Sequence, residues 1–514
     1  MGIPSYFAHI LNHYNITDYL EKKEHVVNYL YLDSNSFIYE AIHSQCKTEN
    51  EIFDHVRASI IYLIKLLQPI HTFVAFDGVV PFAKMKQQRE RRFKSTILQQ
   101  LEGKHIGFDT CCITPGTQFM NNLNQYMNKF LQGQNEYRIT FSGSDVPGEG
   151  EHKIYQHVRE NAEPDNIVYI FGLDADLIIL SLEHLQYCKS IFLVRENFEK
   201  DLVKLDICKL QNYIHVELNP SLKRYVVSQD YITLSFMLGN DFLPHSPILN
   251  IRTTGIKNII NCYQETLRYY SNKHSLTHKS CINWDFFRVF CGVVSKNEYL
   301  YLKNEVEFRI KQKKSLLKRN ISKDDRILKT PMINQDHEEL LEIDKPNWKQ
   351  RYYTVLFDEE EVNDKFIQNV CVKYIEGLQW CLLYYSKSCP DTQWYYPFSY
   401  PPLFSDLLKY IPSKNSTLFK NENNQIYKHP LEQLCIVLPP KSYNLLPNSI
   451  EIKMLELIEE YGFNHIVNNI HLHWDFCTYL WEAHPLLFPV FQNTIKHIVE
   501  KYLKSSSNKN NFLY

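Results

Sequence analysis

Short apolar runs alternate with amphipathic stretches along the first part of the chain. The runs at 26–32, 72–76, 137–141, 167–171 and 191–194 are rich in β-branched and aromatic residues, which favours buried strands. Apolar residues recur at helical spacing over 54–68 and 120–131, and further helices begin at Pro81 and at 147–148. Strands alternating with helices are typical of parallel βαβ units, which bind ligands outside the carboxyl ends of their strands. We therefore predict an α/β fold with a mainly parallel central sheet flanked by helices.

Acidic residues follow these apolar segments where the chain should reach one edge of the sheet. They are Asp33, Asp77, Glu149, Glu151, Asp174, Asp176 and Asp241. Singly, an aspartate after a strand more often begins a turn or caps a helix, and Glu149 would complement a helix dipole. The spacing of Asp174 and Asp176 predicts that both side chains point the same way from an extended segment.

Seven carboxylates at one edge would repel one another and take up protons unless cations neutralised them. Oxygen ligands without histidine or cysteine favour Mg²⁺ or Mn²⁺. Two such ions can activate water and stabilise the leaving oxygen in phosphodiester hydrolysis. The acidic set therefore predicts a site for two divalent cations.

Cationic and amide side chains recur on one face of the helix that begins at Pro81. They are Lys84, Gln88, Arg91 and Arg92, at positions i, i+4, i+7 and i+8. Such a face can bind a phosphate group. The alternative is a solvated charged face, because Lys86 and Glu90 lie on the same helix.

Composition limits the class of protein and its compartment. The 514 residues are 44% hydrophobic, which is enough for a large core in two or three domains. Because the formal net charge is only −2, a polyanion would have to bind a local patch of positive charge. The 13 cysteines form no Cys-x-x-Cys pair, which indicates reduced thiols rather than a zinc site or disulfides. The amino end lacks signal-peptide features and no apolar run reaches about 18 residues, so we expect neither secretion nor membrane insertion. We expect a cytoplasmic protein, with the nucleus as the alternative. The frequent Asn, Ile, Lys and Tyr would fit a viral origin, which would place the protein in the host cytoplasm.

Several motifs in order resemble the Xrn/Rat family of 5′-to-3′ exoribonucleases. They are the stretch at 72–93, PGEGEHK at 147–153, GLDADL at 172–177 and GNDFLPH at 239–245. The similarity begins with MGIP at 1–4, includes ITPGT at 113–117, and resumes with YIEGLQW at 374–380, WYYPF at 394–398 and LCIVLPP at 434–440. It covers both conserved regions of the family.

The resemblance implies a PIN/FEN-like nuclease domain followed by a largely helical second region. We expect four parts: a nuclease domain over 1–266, a divergent connecting segment over 267–346, the helical region over 347–504, and a polar tail over 505–514. Because the chain stops near the end of the second region, we expect a monomer without the family's accessory partner contacts.

The resemblance also implies a function and a role for each site residue. The activity would be processive hydrolysis of single-stranded RNA with a 5′-monophosphate, releasing nucleoside monophosphates with Mg²⁺ or Mn²⁺ as cofactor. The seven acids match the family's metal ligands, and Lys84, Gln88, Arg91 and Arg92 match its 5′-phosphate pocket. Tyr39 stands where the family has a base-stacking histidine, and Trp380 resembles the opposing tryptophan, with a role in the core as its alternative.

Two other functions stay open at this point. A flap-type DNA nuclease shares this kind of sheet and acidic cluster, but its duplex-binding hairpin would need one more glycine than TTGIK at 253–257 supplies. A noncatalytic RNA-binding scaffold is the second rival, and the presence of all seven acids argues against it.

Overall fold

Seven strands form the central sheet of the computed structural model. The structure describes the chain except for residues 1, 4, 21–25, 103–107, 133–135, 198, 200, 319–330, 334, 414–415, 417, 420–425, 465, 467–469 and 511–514. The strands are β1 (Thr17–Tyr19), β2 (Tyr29–Asp33), β3 (His71–Ala75), β4 (Ile139–Ser142), β5 (Ile167–Phe171), β6 (Ser190–Glu196) and β7 (Leu202–Asp206). Met1 and Pro4 of the MGIP motif lie outside the described residues.

The strand order is β1-β7-β6-β5-β2-β3-β4. The pairs β6–β5, β5–β2, β2–β3 and β3–β4 are parallel, whereas β7 pairs antiparallel with both β6 and β1. The predicted α/β fold with a mainly parallel sheet is therefore confirmed, and all five expected strands are present. Sequence reasoning missed β1, a three-residue and largely exposed edge strand, and its antiparallel partner β7.

Helices cover both faces of the sheet and build most of the rest of the described chain. They span Tyr6–His13, Asn35–His43, Glu49–Leu67, Phe82–Glu102, Gln118–Gln132, Gly150–Asn161, Asp176–His184, Ile207–Leu218, Arg224–Phe236, Gly255–Tyr269, Trp284–Leu317, Trp348–Leu356, Asp364–Ser386, Phe404–Tyr410, Pro430–Val437, Asn448–Glu460 and Gln492–Asn510. Two short antiparallel pairs join Thr277–His278 to Cys281–Ile282 and Leu472–His473 to His484–Pro485. None of the helices in this described part combines the length and apolar character that a bilayer crossing requires.

The sheet buries one hydrophobic layer on each face. Alternate residues of β2 separate the layers: Leu30 and Leu32 pack with the Glu49–Leu67 helix, and Tyr31 lies in the opposite layer. That opposite layer continues without a break into the Asp364–Ser386 helix of the second region. The helical second region is thus joined to the central sheet by shared apolar packing, and the four-part division of the chain stays a prediction.

The Phe82–Glu102 helix packs against helices near the carboxyl end of the described chain. Its apolar residues Met85 and Phe93 pack with Leu434, Ile436 and Ile495 in a third hydrophobic cluster. Packing on this side fixes the rotation of the helix and therefore the direction of its cationic face.

Candidate active site

Four of the predicted acids lie at the carboxyl ends of strands β2, β3 and β5. Asp33 is the last residue of β2, Asp77 lies two residues beyond the end of β3, and Asp174 and Asp176 follow β5. These three strands are parallel, and β2 lies between β3 and β5, so their ends meet at one edge. Glu149 precedes the first residue of the Gly150–Asn161 helix and Glu151 lies in its first turn.

Two local expectations were wrong. Asp176 is the first residue of the Asp176–His184 helix and Ala175 is already helical, so the pair with Asp174 is not extended. Asp241 follows the Arg224–Phe236 helix rather than a strand. After β5 the chain enters the Asp176–His184 helix within a few residues, and the apolar residues that precede Asp241 belong to a buried helix. A short apolar run alone does not distinguish a buried strand from a buried helix.

Gly150 brings the carboxylates of Asp33 and Asp77 together. Its N–H donates to Oδ1 of Asp77 over 2.7 Å. A Cβ at this glycine would lie 2.9 Å from Asp33 Oδ1 and 3.4 Å from Asp77 Oδ1. Glu149, Glu151 and His152 offer ligand atoms that all lie within 4.8 Å of one another.

Lys84 links Glu149 to Asp241. Its Nζ lies 2.5 Å from Oε2 of Glu149 and 2.7 Å from Oδ2 of Asp241. Gly2 donates its N–H to Oδ1 of Asp241 over 3.1 Å, and a Cβ at Gly2 would lie 2.0 Å from Oδ1 of Asp176. Asp176 and Asp241 therefore both contact Gly2. Asp241 thus lies beside the other acids although it does not follow a strand of the sheet.

Burial and mutual repulsion shift the pKa values of these carboxyl groups. Burial, followed by the charge of Asp77, raises the pKa of Asp33 well above its ordinary value, and burial with Glu149 does the same for Glu151. Burial and Asp241 raise the pKa of Asp176 to about 7. Burial also acts on Asp241, but the Lys84 ammonium outweighs it and holds the pKa of Asp241 below its ordinary value.

This donor set fits a hard divalent cation. Oε2 of Glu151 and Oδ1 of Asp176 are buried and have no hydrogen-bond partner in the part of the chain that the structure describes. Buried oxygen atoms of this kind need a partner, and a bound cation would also remove the repulsion among the acids. Burial lowers the pKa of His152 well below its ordinary value, so its imidazole adds no competing charge.

A cavity of about 460 Å³, here called the active-site cavity, joins five of the acids to the cationic face of the Phe82–Glu102 helix. Its walls include the acids Asp33, Asp77, Glu149, Glu151 and Asp174 together with Lys84, Gln88, Arg91 and Arg92. Of the four predicted phosphate-binding side chains, Lys84 is the one whose charged group pairs with the acids. Nη1 of Arg92 is buried without a hydrogen-bond partner among the described residues, and burial lowers the pKa of this guanidinium. An unpartnered cation of this kind can bind an anionic ligand.

The two predicted stacking residues have different environments. Tyr39 is half-buried and lines the active-site cavity. Trp380 is fully buried; its Nε1 donates to the Asp391 carbonyl over 2.9 Å, and its ring packs on Trp394 with 5.1 Å between centroids. These contacts correspond to the core alternative for Trp380, because stacking on a base requires an exposed ring face.

Sequence reasoning missed three side chains that hold the acids in place. Tyr384 donates to Oε1 of Glu149 over 2.7 Å, and Asn35 donates to Oδ2 of Asp77 over 2.6 Å while accepting from the Asp77 N–H over 3.2 Å. The third is Tyr385, whose hydroxyl contacts Asp176. For the two tyrosines the available signal was chemical: they directly follow the apolar run at 380–383, and adjacent tyrosines need hydrogen-bond acceptors once they are buried.

A parallel sheet with clustered carboxylates at its carboxyl edge, beside a cation-lined cavity, defines a nuclease of the PIN-like class. The comparison with known proteins agrees with this assignment to a class. The family model described as "XRN 5'-3' exonuclease N-terminus" matches residues 1–197, and the one described as "Xrn1 helical domain" matches 222–339 and 303–462. The chain therefore belongs to the Xrn family, whose nuclease chemistry implies dependence on a divalent metal ion.

Curated relatives cover most of this chain but extend well beyond it. The chain is 28% identical over 534 residues to 5'-3' exoribonuclease 1 of Homo sapiens, with 87% of the chain and 31% of the relative aligned. It is 25% identical over 573 residues to 5'-3' exoribonuclease 2 of Gallus gallus, with 81% of the chain and 59% of the relative aligned. It is also 25% identical over 615 residues to 5'-3' exoribonuclease 1 of Saccharomyces cerevisiae, with 87% of the chain and 40% of the relative aligned. The chain thus spans less than two thirds of the length of these relatives.

Proposed function

We propose that this chain is a processive 5′-to-3′ exoribonuclease that hydrolyses single-stranded RNA with a 5′-monophosphate and releases nucleoside 5′-monophosphates. One observation carries the proposal: a single cavity is lined both by the clustered acids and by Gln88, Arg91 and Arg92. Relatives named 5'-3' exoribonuclease add independent support.

The cationic end of the cavity suits the terminal phosphate of an RNA. A terminal monophosphate carries a charge of about −1.5 to −2 near neutral pH, more than an internal phosphodiester. The Arg92 guanidinium, with its buried unpartnered nitrogen, would donate charge-assisted hydrogen bonds to it, and Arg91 would add a second cation. Tyr39 would stack on the first base from the cavity wall.

The acidic end of the cavity suits two Mg²⁺ or Mn²⁺ ions, held by Asp33, Asp77, Glu149, Glu151, Asp174, Asp176 and Asp241. Bound there, the cations would lower the pKa of an attacking water and stabilise the leaving oxygen of the scissile phosphodiester. The chain itself supplies the positions: Asn35 and the Gly150 N–H orient Asp77, and Tyr384 orients Glu149. Lys84, between Glu149 and Asp241, compensates part of their charge.

Processivity follows from the same arrangement. Each cleavage exposes a new 5′-phosphate on the shortened strand, and that end has the charge which the arginines recognise. We further propose that the enzyme acts as a monomer in the cytoplasm. The 13 cysteines are all among the described residues and none of them forms a disulfide, which supports a reducing compartment.

Digestion of one RNA in three forms tests this function. We expect rapid release of nucleoside monophosphates from the 5′-monophosphate form with Mg²⁺, at least tenfold slower release from the 5′-hydroxyl and capped forms, and none in EDTA. The variant Asp174→Ala should lose hydrolysis and still bind the RNA. Faster cleavage of a DNA flap would instead identify a flap-type nuclease, and binding without cleavage under all metal conditions would identify a scaffold.

A further inference from the structure

A second cavity of about 140 Å³ lies against another face of the Phe82–Glu102 helix. Lys86, Gln87, Glu90 and Lys94 of this helix line it. Their spacing puts them on a different side of the helix from Lys84, Gln88, Arg91 and Arg92, which line the active-site cavity. One helix therefore separates two cavities.

The two cavities are neighbours across one ion pair. Lys84 lines the active-site cavity and Asp241 lines the second cavity, and their charged atoms lie 2.7 Å apart. The second cavity thus begins where the acidic cluster ends.

Buried polar atoms in the walls of the second cavity have no partner in the described part of the chain. They are Nε2 and Oε1 of Gln87 and Nε2 of His484. Unpartnered buried donors and acceptors are rare in folded proteins, and a polar ligand in this cavity could pair with these three atoms.

The acidic groups around the second cavity are already paired, whereas lysine donors remain. Glu90 pairs with Lys86 at 2.8 Å, and Glu482 pairs with Arg252 and accepts the Thr478 N–H. Lys94 donates one hydrogen to the Trp481 carbonyl over 2.7 Å, and an ammonium has three donors. Asp241, which also lines this cavity, is paired with Lys84, so the two further hydrogens of the Lys94 ammonium can bind an oxygen atom of a ligand.

Aromatic rings complete the walls. The indole of Trp481 is 39% exposed and, with Phe398, lines the second cavity. An exposed ring beside a lysine is the combination that binds a nucleobase together with its phosphate, because base stacking tolerates every base.

We propose that the second cavity binds the nucleoside 5′-monophosphate released by hydrolysis, which rests on the proposed exoribonuclease function. Lys86 and Lys94 bind its phosphate, Gln87 and His484 its polar groups, and Trp481 its base. A product held there clears the active-site cavity while the shortened strand advances into it.

Equilibrium dialysis of adenosine 5′-monophosphate against the full chain tests this site. We expect two bound nucleotides per chain, one lost in Arg92→Gln and the other weakened about tenfold in Lys94→Gln and in Gln87→Leu. Adenosine without the phosphate should bind the second site at least tenfold more weakly. Lys496→Gln, which removes a lysine of another helix that is exposed and paired with a glutamate, is the control and should leave both sites intact.

The proposal is overturned if the protein binds a single nucleotide, Arg92→Gln removes it, and Lys94→Gln and Gln87→Leu leave it unchanged. Thermal unfolding must show that the Lys94→Gln and Gln87→Leu variants are folded.

Product inhibition gives a second test. Binding in a cavity separate from the RNA end predicts mixed inhibition of hydrolysis by adenosine 5′-monophosphate, whereas purely competitive inhibition contradicts it. Dialysis needs no hydrolysis, so failure of the nuclease activity is distinguishable from failure of this site.

Discussion

Tyr385 donates a hydrogen bond of 3.1 Å to Oδ2 of Asp176, which joins the helical second region to a carboxylate of the nuclease domain. The adjacent Tyr384 makes the same kind of bond to Glu149, and its ring stacks on His152 with 3.7 Å between centroids. A helix distant in sequence thus holds two of the candidate metal ligands. We regard both tyrosines as positioning residues, because hydrogen-bonded partners fix the orientation of ligating side chains.

Tyr385→Phe should weaken metal binding without unfolding the protein. Losing a partner of a metal ligand costs roughly 10–100-fold in affinity, so the Mn²⁺ concentration for half-maximal hydrolysis should rise by about that factor. Direct Mn²⁺ titration by electron paramagnetic resonance should show the same shift. Tyr374→Phe is the matched control: this tyrosine lies on the same helix, and its buried hydroxyl has no partner among the described residues. Equal shifts in both variants would contradict the positioning role.

Lys84→Met should destabilise the protein most when metal is removed. The change leaves Glu149 and Asp241 without the cation that pairs with both, and breaking a buried ion pair costs about 3–5 kcal/mol. Urea unfolding in EDTA should show this loss, and added Mn²⁺ should recover part of it by neutralising the same carboxylates. Lys453→Met, at an exposed lysine paired with Glu456, should change little in either condition. The same loss with and without Mn²⁺ would contradict the idea that Lys84 and the cations serve the same carboxylates.

The sheet and the acidic edge could be predicted because their signals are local. Apolar strands and the acids directly after them, such as Asp33 and Asp77, occupy one short stretch each. The contacts of Tyr384, Asp241 and Trp380 depend on how remote helices dock; Tyr384 and Glu149, for example, are 235 residues apart in sequence. No periodicity reports such packing, so the sequence left a core role for Trp380 as one of two alternatives, and the helix before Asp241 was found only in the structure.

Glu183→Gln should stabilise the protein at pH 8 and make little difference at pH 5. Burial raises the pKa of Glu183 from its ordinary value of 4.5 to about 8. Between these values the folded state holds a proton that the unfolded state has lost, so the contribution of Glu183 to stability falls as pH rises. The amide copies the protonated form and can still accept the hydrogen bond from Gln229. The difference in unfolding free energy should grow to at most roughly 4 kcal/mol at pH 8, measured by urea unfolding at several pH values. A difference that stays constant with pH would contradict the shift.

Gly2→Ala should impair hydrolysis by displacing Asp176. A Cβ at Gly2 would lie 2.0 Å from Oδ1 of Asp176, and the backbone φ of +55° is one that favours glycine. We expect at least a tenfold loss in kcat on 5′-monophosphate RNA at saturating Mg²⁺. Gly292→Ala is the control, since its Cβ would meet open space within a helix and should raise stability by about 0.5–1 kcal/mol. Full activity of Gly2→Ala would show that Asp176 does not need this close approach.

Arg92→Leu should weaken the preference for a 5′-phosphate without lowering the stability of the fold. Burial lowers the pKa of the Arg92 guanidinium, and its buried Nη1 has no hydrogen-bond partner among the described residues, so the folded protein carries the cost of one unsatisfied buried donor. That cost is offset only when a phosphate binds, as expected of a residue kept for function. The ratio of kcat/KM for 5′-monophosphate over 5′-hydroxyl RNA should fall roughly 10–100-fold, because hydrogen bonds to charged groups are worth about 1.5–3 kcal/mol. The midpoint of unfolding should stay the same or rise. Arg89→Leu, at a buried arginine on the same helix that packs over Phe488, should leave the ratio unchanged. If Arg92→Leu keeps the preference for a 5′-phosphate, the terminal phosphate binds elsewhere in the active-site cavity.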